Sequence, residues 1–145
     1  MRRIALLVVI LVSLAAMPAS IHAQSYAQQV WDQLQRHYSV VSDLGDYQLR
    51  NYVMGTIREG ETDTWTFTFS SDDEYVVTAA CDNDCSDIDV KVLTESGKVI
   101  KEDTSDDDQP IVKFEPSSTD AYQIEVKMYK CSDNPCYFGF GIFRK

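Results

Sequence analysis

The fold of this chain is decided at Cys81-Asp82-Asn83-Asp84-Cys85-Ser86-Asp87-Ile88-Asp89-Val90. Two cysteines bracket a polar turn, and the residues that follow alternate between acidic and apolar. Alternation with a period of two places Ile88 and Val90 on one face of a β-strand and Asp87 and Asp89 on the other. The stretch therefore predicts a cysteine-bracketed turn that leads into a strand with one buried face.

The same period of two recurs along most of the chain after Tyr47. In Thr64-Trp65-Thr66-Phe67-Thr68-Phe69 the aromatic residues share one face and the threonines share the other. About eight such short strands follow one another with turn signals between them. A parallel sheet would need crossover helices, which the pattern after residue 45 does not contain. The sequence predicts an all-β fold, an antiparallel two-sheet β-sandwich of the jelly-roll-like kind.

One amphipathic helix is predicted before the sandwich, over residues 25–41. Its apolar residues recur at spacings of three and four, and polar residues fill the opposite face. Two interpretations stay open for the stripe: it packs on the domain, or it dimerises the protein. The stripe consists of Ala27, Val30, Trp31, Leu34, Tyr38 and Val41.

Residues 1–23 have the pattern of a cleaved secretory signal peptide. Arg2 and Arg3 precede an apolar run that ends before Pro18, and Ile21-His22-Ala23 fits a signal-peptidase site. The run is shorter than the ~20 residues that a membrane-spanning helix needs. We therefore expect a secreted or periplasmic protein without a membrane span after cleavage. Its predicted parts are a helix and turn over residues 24–45 and a β-sandwich domain over residues 46–145.

All four cysteines lie after the predicted cleavage site. In an oxidising compartment an even number of cysteines indicates disulfide bonds, and four allow three pairings. We favour the two local pairs, Cys81 with Cys85 and Cys131 with Cys136. A cross-link between the two turns and a cysteine-only zinc site are the alternatives, although neither spacing is the usual one for zinc.

The charge balance limits the classes of partner. The chain of 145 residues carries 13 basic and 23 acidic side chains, a net charge of −10. Such a chain repels phosphate groups, which argues against nucleic acids and anionic membrane surfaces as ligands. The predicted partner is a protein or a polysaccharide. The chain itself is predicted to be either a monomer or a dimer formed through its helix.

The acidic turn supplies a candidate calcium site. Asp82, Asp84, Asp87 and Asp89 place four carboxylates within eight residues, and Ca²⁺ prefers six to eight oxygen ligands. The EF-hand register fails, because Leu93 stands where the twelfth-position glutamate belongs. Any calcium site here would therefore be irregular, and calcium is the cofactor that the acidic residues suggest. The alternative is a solvated acidic rim.

The sequence argues against most kinds of catalysis. After residue 23 the only histidine is His37, on the predicted helix, and paired cysteines cannot act as nucleophiles. A histidine-based triad would need His37 to meet a serine across the fold. No catalytic residue is predicted, and a small secreted hydrolase ranks third among the functions.

Four stretches resemble, in order, the motifs of the bacterial pre-peptidase C-terminal domain. Ala121 is a departure, because that family usually has glycine before the tyrosine. The resemblance covers residues 54–143 and implies a jelly-roll-like, non-catalytic accessory domain of secreted proteins, some of which bind calcium. The stretches are Gly60-Glu61-Thr62-Asp63-Thr64-Trp65-Thr66-Phe67, Asp87-Ile88-Asp89-Val90-Lys91-Val92, Pro110-Ile111-Val112-Lys113-Phe114 and Ala121-Tyr122-Gln123-Ile124-Glu125-Val126.

The predicted function is a secreted or periplasmic accessory or binding module that does not catalyse a reaction. Its ligand would be a protein, a polysaccharide or a component of the cell envelope. The second hypothesis is a calcium-stabilised structural or assembly protein that dimerises through the helix.

Overall fold

A computed structural model describes residues 19–145, with side chains from residue 25 onward. Residues 1–18 of the predicted signal peptide lie outside the described residues, and the cleavage of the signal peptide stays a prediction. The elements are one helix and eight strands, in the order α1 (Ala19–Asp43), β1 (Gln48–Ile57), β2 (Thr62–Phe69), β3 (Tyr75–Cys81), β4 (Cys85–Thr94), β5 (Val99–Asp103), β6 (Ile111–Phe114), β7 (Asp120–Cys131) and β8 (Cys136–Arg144).

The strands form two four-stranded antiparallel sheets, which confirms the predicted sandwich. Sheet A has the order β1-β8-β3-β6, and sheet B has the order β2-β7-β4-β5. Consecutive strands lie in different sheets except β4 and β5, which are neighbours in sheet B. This alternation between two sheets is the jelly-roll arrangement. It puts β1 and β2, consecutive in the chain, each at one of the two free edges of its own sheet.

The core lies between the two sheets because each strand turns one apolar face inward. Trp65, Phe67 and Phe69 of β2 point to the same interior as Ile88 and Val90 of β4. Phe69 is 1% exposed, and Ile88 and Val90 are fully buried. The alternation read from the sequence therefore assigned the inner face of these strands correctly.

The helix packs its apolar stripe on the outer face of sheet A. Val30 and Leu34 contact Ala80, and Val41 packs with Val76 and Phe143. The first interpretation of the stripe is thus confirmed for these positions. A dimer formed through the same stripe would require the helix to leave its own sheet.

Glycine residues in β8 allow the helix to approach the sheet closely. A Cβ atom on Gly139 would lie 2.9 Å from Leu34 Cδ1, 3.0 Å from Val30 Cγ1 and 3.1 Å from the backbone oxygen of Val53. Such distances are too short for carbon atoms in a packed interior. The glycines between the core aromatics of β8 therefore leave flat backbone on the outer face, where α1 docks.

The helix α1, the one helix of residues 19–145, is not long and apolar enough to cross a membrane.

Candidate functional site

A groove runs between α1 and the edge strand β1 on the outer face of sheet A. Its volume is about 460 Å³, within the range of ligand-binding pockets. The helix covers β8 and β3 more closely than β1, so a channel remains beside the edge strand. We call it the helix–strand groove; its lining residues are Trp31, Leu34, Gln35, Tyr38, Gln48, Leu49, Tyr52, Gly141 and Phe143.

Aromatic rings form the walls of the helix–strand groove. The rings of Trp31 and Tyr52 lie 5.3 Å apart between centroids and are tilted by 58°. Tyr38 stacks on Phe143 at 5.8 Å. Tyr38 is 40% exposed and Tyr52 is 51% exposed. Large ring surfaces thus remain in contact with solvent on both sides of the groove.

A glycine forms part of the floor. A Cβ atom on Gly141 would lie 2.9 Å from the ring of Phe143 and 3.2 Å from Leu49 Cδ1. The missing side chain lets the Phe143 ring lie flat beneath the groove. The alternation of Phe138, Phe140 and Ile142 with glycine was visible in the sequence, but which element the glycines face was not.

The groove is electrically neutral. Among the described residues that line it, none carries a formal charge, and the side-chain amides of Gln35 and Gln48 are its strongest hydrogen-bonding groups. It also contains no carboxylate, imidazole or thiol to act as a general acid or base. Such a lining offers a ligand ring contacts and a few hydrogen bonds but no ion pair.

The two disulfides join the local pairs that the sequence favoured. Cys81 is bonded to Cys85 and Cys131 to Cys136, with Cα atoms 5.9 and 5.8 Å apart. This pairing overturns the two alternatives, the cross-link between the turns and the zinc site, because every thiol is already used.

The helix and the second cysteine turn both hold the first cysteine turn. The side-chain amide of Gln33 donates to the carbonyl oxygen of Cys81 at 2.6 Å, and Asn83 N–H donates to Gln29 Oε1 at 3.3 Å. Ser132 N–H donates to the carbonyl oxygen of Asp84 at 2.7 Å. The turn that marked the fold in the sequence is thus also the place where α1 is anchored.

The four acidic residues of the predicted calcium site have different surroundings. Asp82 is 2% exposed and accepts a hydrogen bond from Tyr137 N–H at 2.8 Å. Asp84 belongs to the turn held by Ser132, whereas Asp87 and Asp89 line a cavity at β4. Within the described residues no group of three or more metal-ligating side chains is gathered closely enough to hold a metal ion. Calcium binding by these four residues stays a prediction.

Two of these acidic residues, Asp87 and Asp89, are little exposed. Asp87 is 4% exposed and Asp89 is 7% exposed, although both point away from the core residues Ile88 and Val90. Burial raises the pKa of each carboxyl group. Asp106 raises the pKa of Asp87 further, whereas Lys127 and Lys91 act on Asp89 in the opposite sense. Both residues nevertheless line a cavity on the outer face of sheet B, and the alternative of a solvated rim stays a prediction beside the calcium site.

His37 is not a free surface residue, because it bonds to the sheet. Its Nδ1 atom lies 2.9 Å from Thr78 Oγ1, and Thr78 is 2% exposed. The pair resembles a base beside a nucleophile. A substrate carbonyl group would have to reach a hydroxyl that the helix and sheet cover, so the arrangement favours a structural role for the pair.

The pair predicts that stability depends on pH. Burial lowers the pKa of His37, Arg36 lowers it further, and Asp108 and Gln109 act in the opposite sense. In the unfolded chain the histidine pKa is about 6.5. Between the folded and the unfolded pKa of His37 the unfolded state therefore binds more protons than the folded state. The contribution of neutral His37 to stability is complete above about pH 6.5 and is lost as the pH falls toward the folded pKa.

The free energy of unfolding of the wild type should decrease below pH 6.5. We expect a smaller decrease in a His37→Gln variant. Urea unfolding at a series of pH values between 5 and 8 measures this. Equal pH dependence in both proteins would contradict the prediction.

Comparison with known proteins leaves the family open. No family model matches the chain, and no curated protein matches it in sequence. A solved structure, the periplasmic lysozyme inhibitor of g-type lysozyme PliG from Aeromonas hydrophila, is 12% identical, with a TM-score of 0.47. The match covers 66% of this chain and 85% of that chain. At this distance the likeness carries no conclusion about function, and the resemblance to the pre-peptidase C-terminal domain stays a prediction.

Proposed function

We propose that the protein is a non-catalytic binding module, exported to the periplasm or the cell exterior, whose helix–strand groove holds a neutral polysaccharide. The observation that carries the proposal is that exposed tyrosine rings, Tyr38 on α1 and Tyr52 on β1, line both sides of a groove without charged lining residues. Two disulfides support an oxidising compartment.

Three properties of the groove favour a neutral sugar chain. The apolar C–H faces of sugar rings pack on aromatic rings such as Trp31 and Tyr52, which supply large contact areas at low conformational cost. The amides of Gln35 and Gln48 can each donate to and accept from sugar hydroxyl groups. The net charge of −10 repels acidic polymers, while the uncharged lining offers a cationic ligand nothing to pair with.

The shape of the site supports a polymer over a small enclosed ligand. The groove lies along the outer face of the sheet beside the free edge of β1, so a chain can enter and leave at its ends. Because α1 and β1 supply opposite walls, docking of the helix is part of forming the site.

The proposal is tested by isothermal titration with neutral hexasaccharides of glucose and of N-acetylglucosamine, with polygalacturonate as the acidic control. We expect a Tyr52→Ala variant to bind the preferred neutral hexasaccharide about tenfold more weakly, because an aromatic anchor at the centre of a site carries more than ~1 kcal/mol.

Tyr129→Ala is the matched control variant. Tyr129 is 52% exposed, almost the same as Tyr52 at 51%, but it lies on sheet B. Its removal is expected to leave the affinity for the hexasaccharide unchanged. Binding of polygalacturonate in preference to the neutral sugars, or equal loss in both variants, would refute the proposal.

A further inference from the structure

A second cavity, of about 380 Å³, opens at the side of the sandwich, between β1 at the edge of sheet A and β2 at the edge of sheet B. It leads toward the core between the sheets, whereas the helix–strand groove lies on the outer face of sheet A. We call it the arginine cavity. The rings of Phe67, Phe69 and Tyr75 line it, together with the side chains of Arg50 and Arg144.

We infer that the arginine cavity binds a small monocarboxylic acid with an apolar body, whose carboxylate pairs with the two arginines. This inference does not rest on the proposed polysaccharide site, because the described residues that line the arginine cavity all differ from those that line the helix–strand groove.

A β-bulge turns two consecutive residues of β1 toward the cavity. In the register with β8, Leu49 and Asn51 oppose consecutive residues, so Arg50 is an extra residue without a pairing partner. Both Arg50 and Asn51 line the cavity, although consecutive residues of a regular strand point to opposite faces. Bulges redirect side chains in this way and are common at sheet edges and beside active sites. The backbone of β1 is thus irregular at the position where it brings a cation to the cavity.

The charged side chains of the lining are both arginines, in a protein whose net charge is −10. The described part of the chain contributes no acidic side chain to this lining. Within residues 25–145 no carboxylate lies close enough to Arg50 to form an ion pair. Arg144 Nη1 lies 3.5 Å from Asp73 Oδ2, a long contact that engages one nitrogen of the guanidinium group. The cavity therefore keeps positive charge that its own lining does not neutralise.

A carboxylate is the anion that suits two arginines in this protein. A guanidinium group binds a carboxylate through two parallel N–H groups, and it binds phosphate in the same way. A phosphate monoester carries more negative charge, however, and the acidic protein as a whole repels it more strongly. The singly charged carboxylate is therefore favoured.

The deep end of the cavity is aromatic, which favours an acid with an apolar body. Phe69 is 1% exposed and Tyr75 is 5% exposed, and their ring centroids lie 4.7 Å apart in an edge-to-face contact. Phe67 is half-buried and also contacts Phe69 edge to face. Such rings offer an apolar ligand a large contact area. The volume lies near the lower end of the range for ligand pockets, which favours one small acid over a polymer.

The test uses hydrocinnamate, a carboxylate joined to a phenyl ring by a short chain, titrated into the folded, ¹⁵N-labelled protein and followed by NMR at low salt. We expect saturable shifts of the backbone amides of Arg50 and Thr68, which both line the cavity. Hydrocinnamide is neutral and nearly the same shape, and acetate has the carboxylate without the ring. Each should bind about tenfold more weakly than hydrocinnamate, because each lacks one of the two contacts.

Arg50→Gln should weaken the binding of hydrocinnamate about tenfold, because it removes the charge and keeps a polar side chain. Arg58→Gln is the matched control, because Arg58 is also exposed and directly follows β1 but does not line the cavity. It should bind hydrocinnamate as the wild type does. Because both positions are exposed, we expect equal melting temperatures for the two variants, so a loss of binding will not report misfolding.

Three outcomes would overturn the inference. The first is a lack of saturable shifts with hydrocinnamate, or equal affinity for hydrocinnamate and hydrocinnamide. The second is wild-type affinity in Arg50→Gln. The third is tighter binding of the tripeptide acetyl-Gly-Gly-Phe, with a free carboxyl terminus, than of hydrocinnamate, which would assign the cavity to the end of a partner protein. None of these outcomes bears on hexasaccharide binding to the helix–strand groove.

Discussion

Replacement of Phe69 by alanine is expected to lower the free energy of unfolding by about 3–5 kcal/mol, the usual range for deleting a buried phenylalanine ring. Phe69 is 1% exposed at the end of β2. Its ring contacts Tyr75 at 4.7 Å and Phe114 at 5.1 Å between centroids, both edge to face. The variant would lose these ring contacts and leave a cavity in the core between the two sheets.

The size of this loss in the free energy of unfolding decides whether the Phe69→Ala variant stays folded. A domain is typically stable by only about 5–15 kcal/mol, so the loss could consume most of the total. Guanidinium unfolding followed by tyrosine and tryptophan fluorescence measures it. Phe69→Leu, which keeps most of the volume, should cost less than half as much. A loss below about 1.5 kcal/mol for the alanine variant would contradict the packing described for the two sheets.

Replacement of Gly139 by valine is expected to detach α1 from sheet A. The first added carbon would already lie 2.9 Å from Leu34 Cδ1 and 3.1 Å from the backbone oxygen of Val53. The Leu34 side chain can move more easily than the backbone of Val53. Overpacking of this kind costs about 1–3 kcal/mol. Because the helix supplies one wall of the helix–strand groove, hexasaccharide binding should be lost together with the docking.

Hydrogen exchange of the α1 amides separates local detachment from global unfolding. We expect faster exchange in α1 and little change in β4 and β7, which do not contact the helix closely. Val40→Ala is the control, because Val40 lies on α1 but is 57% exposed. If the α1 amides exchange at the same rate in Gly139→Val and in the control, Gly139 is not needed for docking of the helix.

The alternation of apolar and polar residues was sufficient to predict the strands and their inner faces, but not which strands lie at the edges of the sheets. Eight strands and the inner faces of β2 and β4 follow from alternation, because alternate side chains in a strand point to opposite faces. Strand order depends on which β-strands pair across long stretches of chain, as β1 with β8 does. A single sequence carries no local signal for such pairing, and so the free edge beside the groove was not predicted.

The acidic turn shows the same limit for a site. The sequence correctly placed Asp87 and Asp89 on the face opposite Ile88 and Val90. It grouped them with Asp82 and Asp84 because all four are close in sequence. In the fold Asp106, from the segment after β5, and Lys130, from β7, approach Asp87 instead. Proximity along the chain was a poor guide because a strand carries successive residues about 3.3 Å apart in one direction.

By itself, the sequence determined the strands and the helical stripe, because each depends on residues close together in the chain, and the absence of crossover helices gave the class of fold. It favoured the two local disulfides, and the structure decided for them. Only the tertiary structure decided what covers each outer face. Trp31 and Tyr52 line one groove because α1 docks on the glycines of β8. Asp87 meets Lys130 because β7 lies beside β4 in sheet B. Alternation assigns a side chain to a face of a sheet; packing between distant segments decides whether that face meets solvent, a helix or a ligand.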